Sequence, residues 1–215
     1  AYSEGEGVTR DFGAALRLYR RSARLGNSAA ANNIGRCYRL GEGVSQSWNR
    51  AFYWCRKAAE GGHAGAQYLV GEFYRDGVGV TKDLNESIRW FRLAANQGDS
   101  EAILQLGYAS FYGEGVVRDW SEALRLYRRS ARRGNEKAIS NIGHMYRTGE
   151  GVSQSWTNAI RWYTKAAEAG SVTASHWLGR IYGGDEEPQG NDTKAVHWLR
   201  KAAKGGDVPS ICSLG

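Results

Sequence analysis

A glycine signal recurs at one fixed interval along this 215-residue chain. The motif Gly-x-Gly-Val opens at Gly5, Gly41, Gly77, Gly113 and Gly149, each 36 residues after the last. A second glycine column, which begins at Gly35, keeps the same step without an insertion. A fixed period of this length indicates a repeat protein, here of six units. Because one unit is too small to bury its own apolar face, neighbouring units must stack, and the stack offers an extended surface for binding.

Each unit has the pattern of two short helices joined by the glycine turn. Residues 64–74 place Val70 and Phe73 at helical spacing, and the run that starts at Gly77 then ends the helix. Asp83 and Glu86 have the spacing of a capping box and predict the start of the second helix, which should end near Gly98. We interpret the recurring Gly-x-Gly as turn glycines, since the glycines of a phosphate-binding loop follow a strand.

These residues and their spacing resemble the Sel-one-like repeat (SLR) family, which is related to the tetratricopeptide repeats. The matching positions in one unit are Ala66, Val70, Gly71, Tyr74, Gly77, Gly79, Val80, Asp83, Ser87, Trp90, Ala94, Ala95 and Gly98. The resemblance implies an all-α fold, a right-handed α-solenoid superhelix of about six 36-residue helix-turn-helix repeats. It also implies that residues 1–215 form a single continuous array that acts as an adaptor or scaffold without catalysis. Since the chain starts without Met inside an expected helix, we expect it to be a fragment of a longer protein.

Two departures from the family pattern stand out. The sixth turn reads Gly-Gly-Asp-Glu-Glu-Pro over residues 183–188 and should differ in shape. Some bacterial members join repeats by disulfides, but the equivalent positions here, such as Ala59 and Gln67, carry no cysteine. Cys37 and Cys55 occupy columns that are otherwise apolar, so we predict that both are buried free thiols.

The sequence offers no catalytic or metal-binding constellation. Its four histidines are scattered over different columns, and neither HExxH nor paired-cysteine spacing occurs. We therefore predict a protein without enzymatic activity, cofactor or catalytic residue. No run reaches the roughly 18 apolar residues of a membrane span, so no transmembrane segment is expected.

The resemblance places the candidate binding site on the first helix of each repeat, whose exposed stripe lines the concave groove in tetratricopeptide relatives. The stripe corresponds to the columns of residues 29, 32, 33 and 36, which share one helical face. The candidate partner-binding residues are Asn33, Arg36, Tyr68, Glu72, Leu104, Tyr108, Asn141, His144, Trp177 and Arg180. The expected partner is a protein or peptide, held mainly at the central repeats, with Asn33 and Asn141 bonding to backbone or carboxylate. The alternative for Leu69, Leu104 and Trp177 is simple packing between repeats.

Arginines on two second helices suggest a different function. The net charge is +7, and two four-residue sets share a helix face, which we call the arginine ridge. They are Arg17, Arg20, Arg21 and Arg24, and Arg125, Arg128, Arg129 and Arg132. An exposed ridge on the convex side could dock on nucleic acid or an acidic membrane surface. It lacks the interleaved aromatics of a single-strand platform, so a solvated helix face is favoured and nucleic acid is not the expected partner.

The two ridge segments belong to a longer internal duplication. Residues 5–48 and 113–156 share 32 of 44 positions, which indicates that three repeats doubled into six. Positions that differ between the copies are therefore candidates for divergence in binding.

Overall fold

The computed structural model describes residues 11–184, 190–207 and 210, and these residues contain helices and turns but no strand. Eleven α-helices lie within them: α1 (Phe12–Arg24), α2 (Ser28–Leu40), α3 (Trp48–Glu60), α4 (Ala64–Asp76), α5 (Leu84–Asn96), α6 (Ser100–Tyr112), α7 (Trp120–Ala131), α8 (Glu136–Thr148), α9 (Trp156–Glu168), α10 (Val172–Tyr182) and α11 (Asp192–Lys204). The even-numbered helices are the first helices of their repeats, and the odd-numbered ones are the second helices. The predicted all-α array of helix pairs is confirmed.

The chain divides into two compact units. The boundary falls inside α6, after Leu106, while the loop residues Glu114–Val116 belong to the first unit. This boundary lies close to residue 113, where the second copy of the internal duplication begins. Each unit thus corresponds closely to one copy of the duplicated three-repeat block.

The two glycines of each Gly-x-Gly turn have different roles. The first ends a first helix in the left-handed region, as at Gly77 with φ 70°, where its N–H donates to Phe73 O. The second, Gly79, also has positive φ, and a Cβ there would lie 2.5 Å from the carbonyl oxygen of Trp48. Because Trp48 opens the second helix of the preceding repeat, the second glycine lets the turn dock directly on that repeat. Gly43, Gly115 and Gly151 make the corresponding approaches to Phe12, Leu84 and Trp120.

A backbone hydrogen bond closes each turn on the other side. The N–H of Asp83, the N-cap of α5, donates to Tyr74 O at 2.9 Å, and the equivalent bond recurs in the other four described turns. The predicted capping box is therefore only half right. Asp83 accepts from the N–H of Glu86 at 3.0 Å, but the Glu86 carboxylate accepts from the indole of Trp90 at 3.1 Å, since the Asp83 N–H is already engaged.

The sixth turn begins differently from the others, as predicted. Helix α10 is two residues shorter than the other first helices, and Gly183 has φ −74° instead of a left-handed conformation. The left-handed residue is Gly184, with φ 87°. The remainder of the predicted departure, Asp185 to Pro188, lies outside the described residues.

A glycine in the middle of each first helix allows the two helices of a repeat to pack closely. Gly35, Gly71, Gly107, Gly143 and Gly179 face Cys55, Phe91, Tyr127, Tyr163 and Leu199 in turn. A Cβ at Gly71 would lie 2.6 Å from ring carbons of Phe91, which is itself buried. The space left by each missing Cβ is thus occupied by one side chain of the second helix. That side chain ranges in size from cysteine to tyrosine.

The cysteine prediction is confirmed for the two described cysteines. Cys37 and Cys55 are both buried and both free. Cys55 is the smallest of the residues that cover the glycine column, and burial raises the pKa of its thiol from 9.0 to about 11. At neutral pH the thiol therefore stays protonated and behaves as an apolar packing group.

At the link where some family members carry a disulfide, this chain has hydrogen bonds. The Gln67 side chain is buried and donates to Ala59 O at 3.2 Å. Gln97 of the same repeat in turn donates to Gln67 Oε1 at 2.8 Å and to Gly62 O at 3.0 Å. An amide network thus ties the end of α3 to α4 and to the residue that follows α5.

We predict that Gly71→Ala destabilises the protein by about 1–3 kcal/mol, because its methyl group overpacks against Phe91. In a Phe91→Ala background the same change should cost nothing, or gain up to about 1 kcal/mol, since alanine favours a helix over glycine. Urea unfolding of the four proteins measures both values. Equal destabilisation in the two backgrounds would contradict this account of the glycine column.

We also predict a pH dependence that originates at Cys55. Because the folded-state pKa is raised, the stabilisation is complete below pH 9 and is lost as pH rises from about 9 to about 11. Cys55→Ala should remove that part of the decline, while the rest of the pH dependence is shared by both proteins. Unfolding free energies at pH 8 and pH 10.5 give the comparison, and parallel pH profiles for the two proteins would refute the assignment.

Candidate interaction surface

The first-helix stripe is partly accessible in every described repeat, but not at every predicted column. The columns of Asn33 and Arg36 are half-buried in all five first helices. The column of residue 32 becomes buried in α6 and α8, where it holds Leu104 and Ser140. Leu104 is only 1% exposed, so its prediction as a partner contact is wrong and the packing alternative is right. A buried leucine has no area left to offer to a partner.

In the first unit a hydrogen-bond network organises the stripe around Arg75. Tyr68 donates to Glu72 Oε1 at 2.8 Å, and Arg75 reaches the same oxygen at 3.4 Å. Arg75 also donates to Gln105 at 2.9 Å and forms an ion pair with Asp76 at 2.7 Å. Burial and the bond to Glu72 raise the pKa of Tyr68, and the Arg75 bond lowers the pKa of Asp76. Two predicted contact residues, Tyr68 and Glu72, are therefore held in fixed positions.

At α2 the stripe carries buried polar atoms without a hydrogen bond. They are Asn32 Oδ1, Arg36 Nε and Arg39 Nε, and none of the described residues provides a partner for them. Arg36 reaches only the Glu42 carboxylate, at 3.7 Å, while Asn33 lies beside it half-buried. Buried polar groups are normally paired, so these atoms mark a part of the stripe whose hydrogen bonding is incomplete. The atoms themselves have almost no accessible surface, so a bound molecule would reach them only after their half-buried side chains turn outward.

In the second unit the stripe is more aromatic. Tyr108 stacks on Tyr112 with ring centroids 6.4 Å apart and meets the buried Tyr127 edge-on at 5.8 Å. His144 lies 6.1 Å from Phe111 between ring centroids, and its Nε2 is 3.4 Å from the Glu150 carboxylate. Tyr108 and His144 thus pack against neighbouring aromatic rings on one side and are half-exposed.

Two guanidinium groups lie close to Trp177. Arg147 lies 4.1 Å and Arg180 5.2 Å from the centroid of its ring. The neighbouring first helix, α8, carries the half-buried Asn141 in the column of Trp177, and its buried amide nitrogen, Nδ2, finds no hydrogen-bond partner among the described residues. Predicted residues Trp177 and Arg180 therefore contact one another directly.

Sequence reasoning missed the column of Arg39, Arg75 and Arg147. All three side chains are half-buried on the first helices. Arg75 contacts the predicted stripe residue Glu72, and Arg147 contacts Trp177. They follow the column of Arg36 by three residues, so they extend the same helical face by one turn. Three arginines at one spacing in the repeat were the available signal.

Most arginines of the arginine ridge are exposed, as expected of a ridge on the convex side. Arg24, Arg128 and Arg132 are exposed, whereas Arg20 is half-buried because it donates to the Tyr38 hydroxyl at 3.0 Å. Arg128 makes the equivalent contact with Tyr146 at 3.3 Å, and Arg125 pairs with Glu122 at 2.6 Å. Several ridge arginines therefore already bond to their own or a neighbouring helix.

The described residues show neither a metal-binding cluster nor a membrane-spanning helix. They contain no group of three or more histidine, cysteine or acidic side chains placed to hold a metal ion. Within the same part of the chain, no helix has the length and apolar character needed to cross a bilayer.

Comparison with known proteins identifies the repeat. The Sel1 repeat family model matches residues 1–27, 28–63, 64–99, 100–135, 137–171 and 172–207. The chain belongs to the Sel1 repeat family. Sel1 repeat proteins are generally non-enzymatic scaffolds for protein–protein interaction. The resemblance to the Sel-one-like repeat family that the sequence predicted is thereby confirmed, and the matched segments agree with the helix pairs of the fold.

Solved Sel1 repeat structures resemble this one along nearly its whole length. A Sel1 repeat protein from Oxalobacter formigenes is 36% identical, with a TM-score of 0.87 over 97% of this chain and 83% of its own. The protective antigen c5321 of uropathogenic Escherichia coli, described as displaying an SLR fold, is 34% identical with a TM-score of 0.87. The similarity covers 99% of this chain but 46% of c5321, so this chain spans about half the length of that protein.

A more distant structure shares the fold alone. Immunity protein Pa5087 of Pseudomonas aeruginosa is 20% identical, with a TM-score of 0.60 over 97% of this chain. Comparison with curated proteins returns no match.

Proposed function

We propose that this Sel1 repeat chain is a scaffold that binds an extended segment of a partner protein along its first-helix stripe, in the concave groove expected of such repeats. The stripe residues assigned to binding are Asn33, Arg36, Tyr68, Glu72, Tyr108, Asn141, His144, Trp177 and Arg180. The Arg39 column joins them, and Leu104 is removed because it is buried.

One observation carries the proposal: hydrogen-bonding atoms without partners gather on the first-helix stripe. Among described residues these include Asn32 Oδ1, Arg36 Nε and Arg39 Nε on α2 and Asn141 Nδ2 on α8. An extended peptide supplies the complement once these half-buried side chains turn outward, because each of its residues carries one N–H donor and one C=O acceptor. Leaving such groups unpaired under a partner would be costly, so the stripe should favour a polar backbone over a purely apolar surface.

The variation of the stripe along the chain supports the same assignment. The flanking columns repeat apolar residues such as Ile34, Val70 and Ile142, which are fully buried. The stripe columns hold asparagine, leucine, glutamine and tryptophan at one position and arginine, glutamate, tyrosine and histidine at another. Positions released from packing between helices can diversify from repeat to repeat, and each repeat can then recognise a different residue of the partner.

The alternative is docking of an acidic surface on the arginine ridge, and its exposed members Arg24, Arg128 and Arg132 give it a physical basis. The two modes differ in their salt dependence. Binding to phosphates through several arginines weakens steeply as salt rises from 50 to 200 mM. Binding through amide and aromatic contacts on the stripe should change little over the same range.

We predict that the double variant Asn33→Ala, Asn141→Ala weakens peptide binding by about tenfold or more, as expected when hydrogen bonds to a buried backbone are lost. The ligands are peptides selected from a random displayed library against the intact chain, and calorimetry gives their affinities. The two asparagines occupy the same place in the duplicated blocks.

The matched control is Arg24→Gln with Arg132→Gln, which are also equivalent positions of the duplication and are exposed. This control should bind within about twofold of the unmodified chain, since isolated surface charges contribute little. Loss of binding in the arginine variant, with retention in the asparagine variant, would transfer the site to the ridge.

A further inference from the structure

A cavity of about 320 Å³ opens on the first unit between α2, α3 and α4. Its apolar lining comes from Trp48, Leu69, Phe73 and Val78, and Arg39 and Glu72 stand at its polar side. Trp48 is 41% exposed, unusually high for an indole, and Leu69 is half-buried. The volume lies at the lower end of the range for ligand sites, about 300–1,000 Å³, and suits a single large side chain.

The charged side chains at this cavity differ in whether they already have a partner. Among the described residues, Arg39 has no ion-pair partner, and its Nε is buried without a hydrogen bond. The two acids at the cavity, in contrast, already have a cationic partner, because Arg75 pairs with Asp76, which also lines the cavity, and with Glu72. Tyr68 and Arg75 both donate to Oε1 of Glu72, which leaves Oε2 to accept another donor. The cavity therefore offers one guanidinium face and one carboxylate oxygen.

The second unit shows what the equivalent arginine contacts. Three repeats further along the chain, Arg39 corresponds to Arg147 and Leu69 to Trp177. There the guanidinium of Arg147 lies 4.1 Å from the centroid of the Trp177 ring. The first unit keeps the arginine but has a leucine where the second unit has the indole. Arg39 therefore lines a cavity in the first unit, whereas its equivalent in the second unit, Arg147, lies over an aromatic ring.

We propose that this cavity binds an aromatic side chain, best a tryptophan, presented by the partner segment, and that Arg39 covers its ring as Arg147 covers Trp177. A guanidinium is attracted to the face of an indole more strongly than to other aromatic rings. The indole N–H would donate to Glu72 Oε2, a bond that phenylalanine cannot make. The inference rests on the proposed function and specifies the chemistry of one contact within it.

The probe for the test is N-acetyl-tryptophanamide, titrated into the intact chain and followed by ¹⁵N NMR. We expect saturable shifts of the Arg39 Nε–H and the Trp48 indole N–H. N-acetyl-leucinamide, which is apolar but lacks a ring, should bind about tenfold more weakly because it gains no cation–π attraction. Equal affinity for the two amides, or shifts confined to other residues, would overturn the proposal.

The decisive variant is Leu69→Trp, which should fill the cavity with the chain's own indole and place it beside Arg39, as Trp177 lies beside Arg147. It should abolish tryptophanamide binding and leave the melting temperature unchanged or higher. Leu93→Trp is the matched control: Leu93 is an exposed leucine on α5, and its replacement should leave binding intact. Undiminished binding in a folded Leu69→Trp protein would refute the site.

Two further outcomes separate this inference from the proposed function. If selected peptides bind the stripe while tryptophanamide fails to bind, the aromatic cavity is rejected and the scaffold function stands. Sedimentation tests whether the chain self-associates through the cavity. If the unmodified chain is a dimer that Leu69→Trp converts to a monomer, a second copy of the chain fills the cavity, and the proposal is rejected. Tryptophanamide binding that Leu69→Trp removes in a monomeric chain supports it, even if no library peptide binds.

Discussion

Contact between each of the four described Gly-x-Gly turns and the preceding repeat sets the geometry on which the stacking of these repeats depends. The second turn glycine combines a left-handed backbone with an approach to the preceding second helix that leaves no room for a Cβ, as at Gly79 against Trp48. A side chain there would strain the backbone and separate the repeats at once. On the other side, the N–H to C=O bond from Asp83 to Tyr74 closes the same turn. Each repeat is thus positioned by its predecessor through backbone atoms.

Backbone-determined stacking has a consequence for the side chains. The glycine column and its flanking apolar residues are committed to packing, with Ile34, Val70, Ile142 and Leu178 fully buried. The neighbouring stripe columns are less constrained and vary between repeats, although Asn33 recurs as Asn141 and Arg36 as Arg180. Cys55 and Phe91 show that the second helices also tolerate variation where they cover the glycines. A scaffold of this kind can change its recognition residues one at a time while its stacking is preserved.

The sequence predicted the architecture well because its signals are local and periodic. Helix pairs, turn glycines and the buried cysteines all follow from columns that keep a 36-residue step. The sequence predicted individual side-chain contacts less well, since these depend on which residues of the adjacent helices lie nearest to each side chain. Leu104 and Tyr68 occupy one column, yet the first is buried and the second is half-exposed and bonded to Glu72. Arg20 and Arg24 share a predicted face, but only Arg20 reaches a tyrosine hydroxyl. The cavity beside Arg39 was not foreseen either, because it depends on which side chain of the next first helix lies against the arginine, a leucine in the first unit and a tryptophan in the second.

The central claim is that the first-helix stripe is the surface that binds a partner protein. Amide and side-chain NMR shifts of the intact chain, recorded with a peptide selected for binding, test it most directly. The account predicts shifts concentrated on the first helices, at the asparagines and at the column of Arg39, Arg75 and Arg147, with the second-helix arginines unchanged at 50 and 200 mM salt. Shifts that map to Arg24, Arg128 and Arg132 and vanish at the higher salt would contradict it.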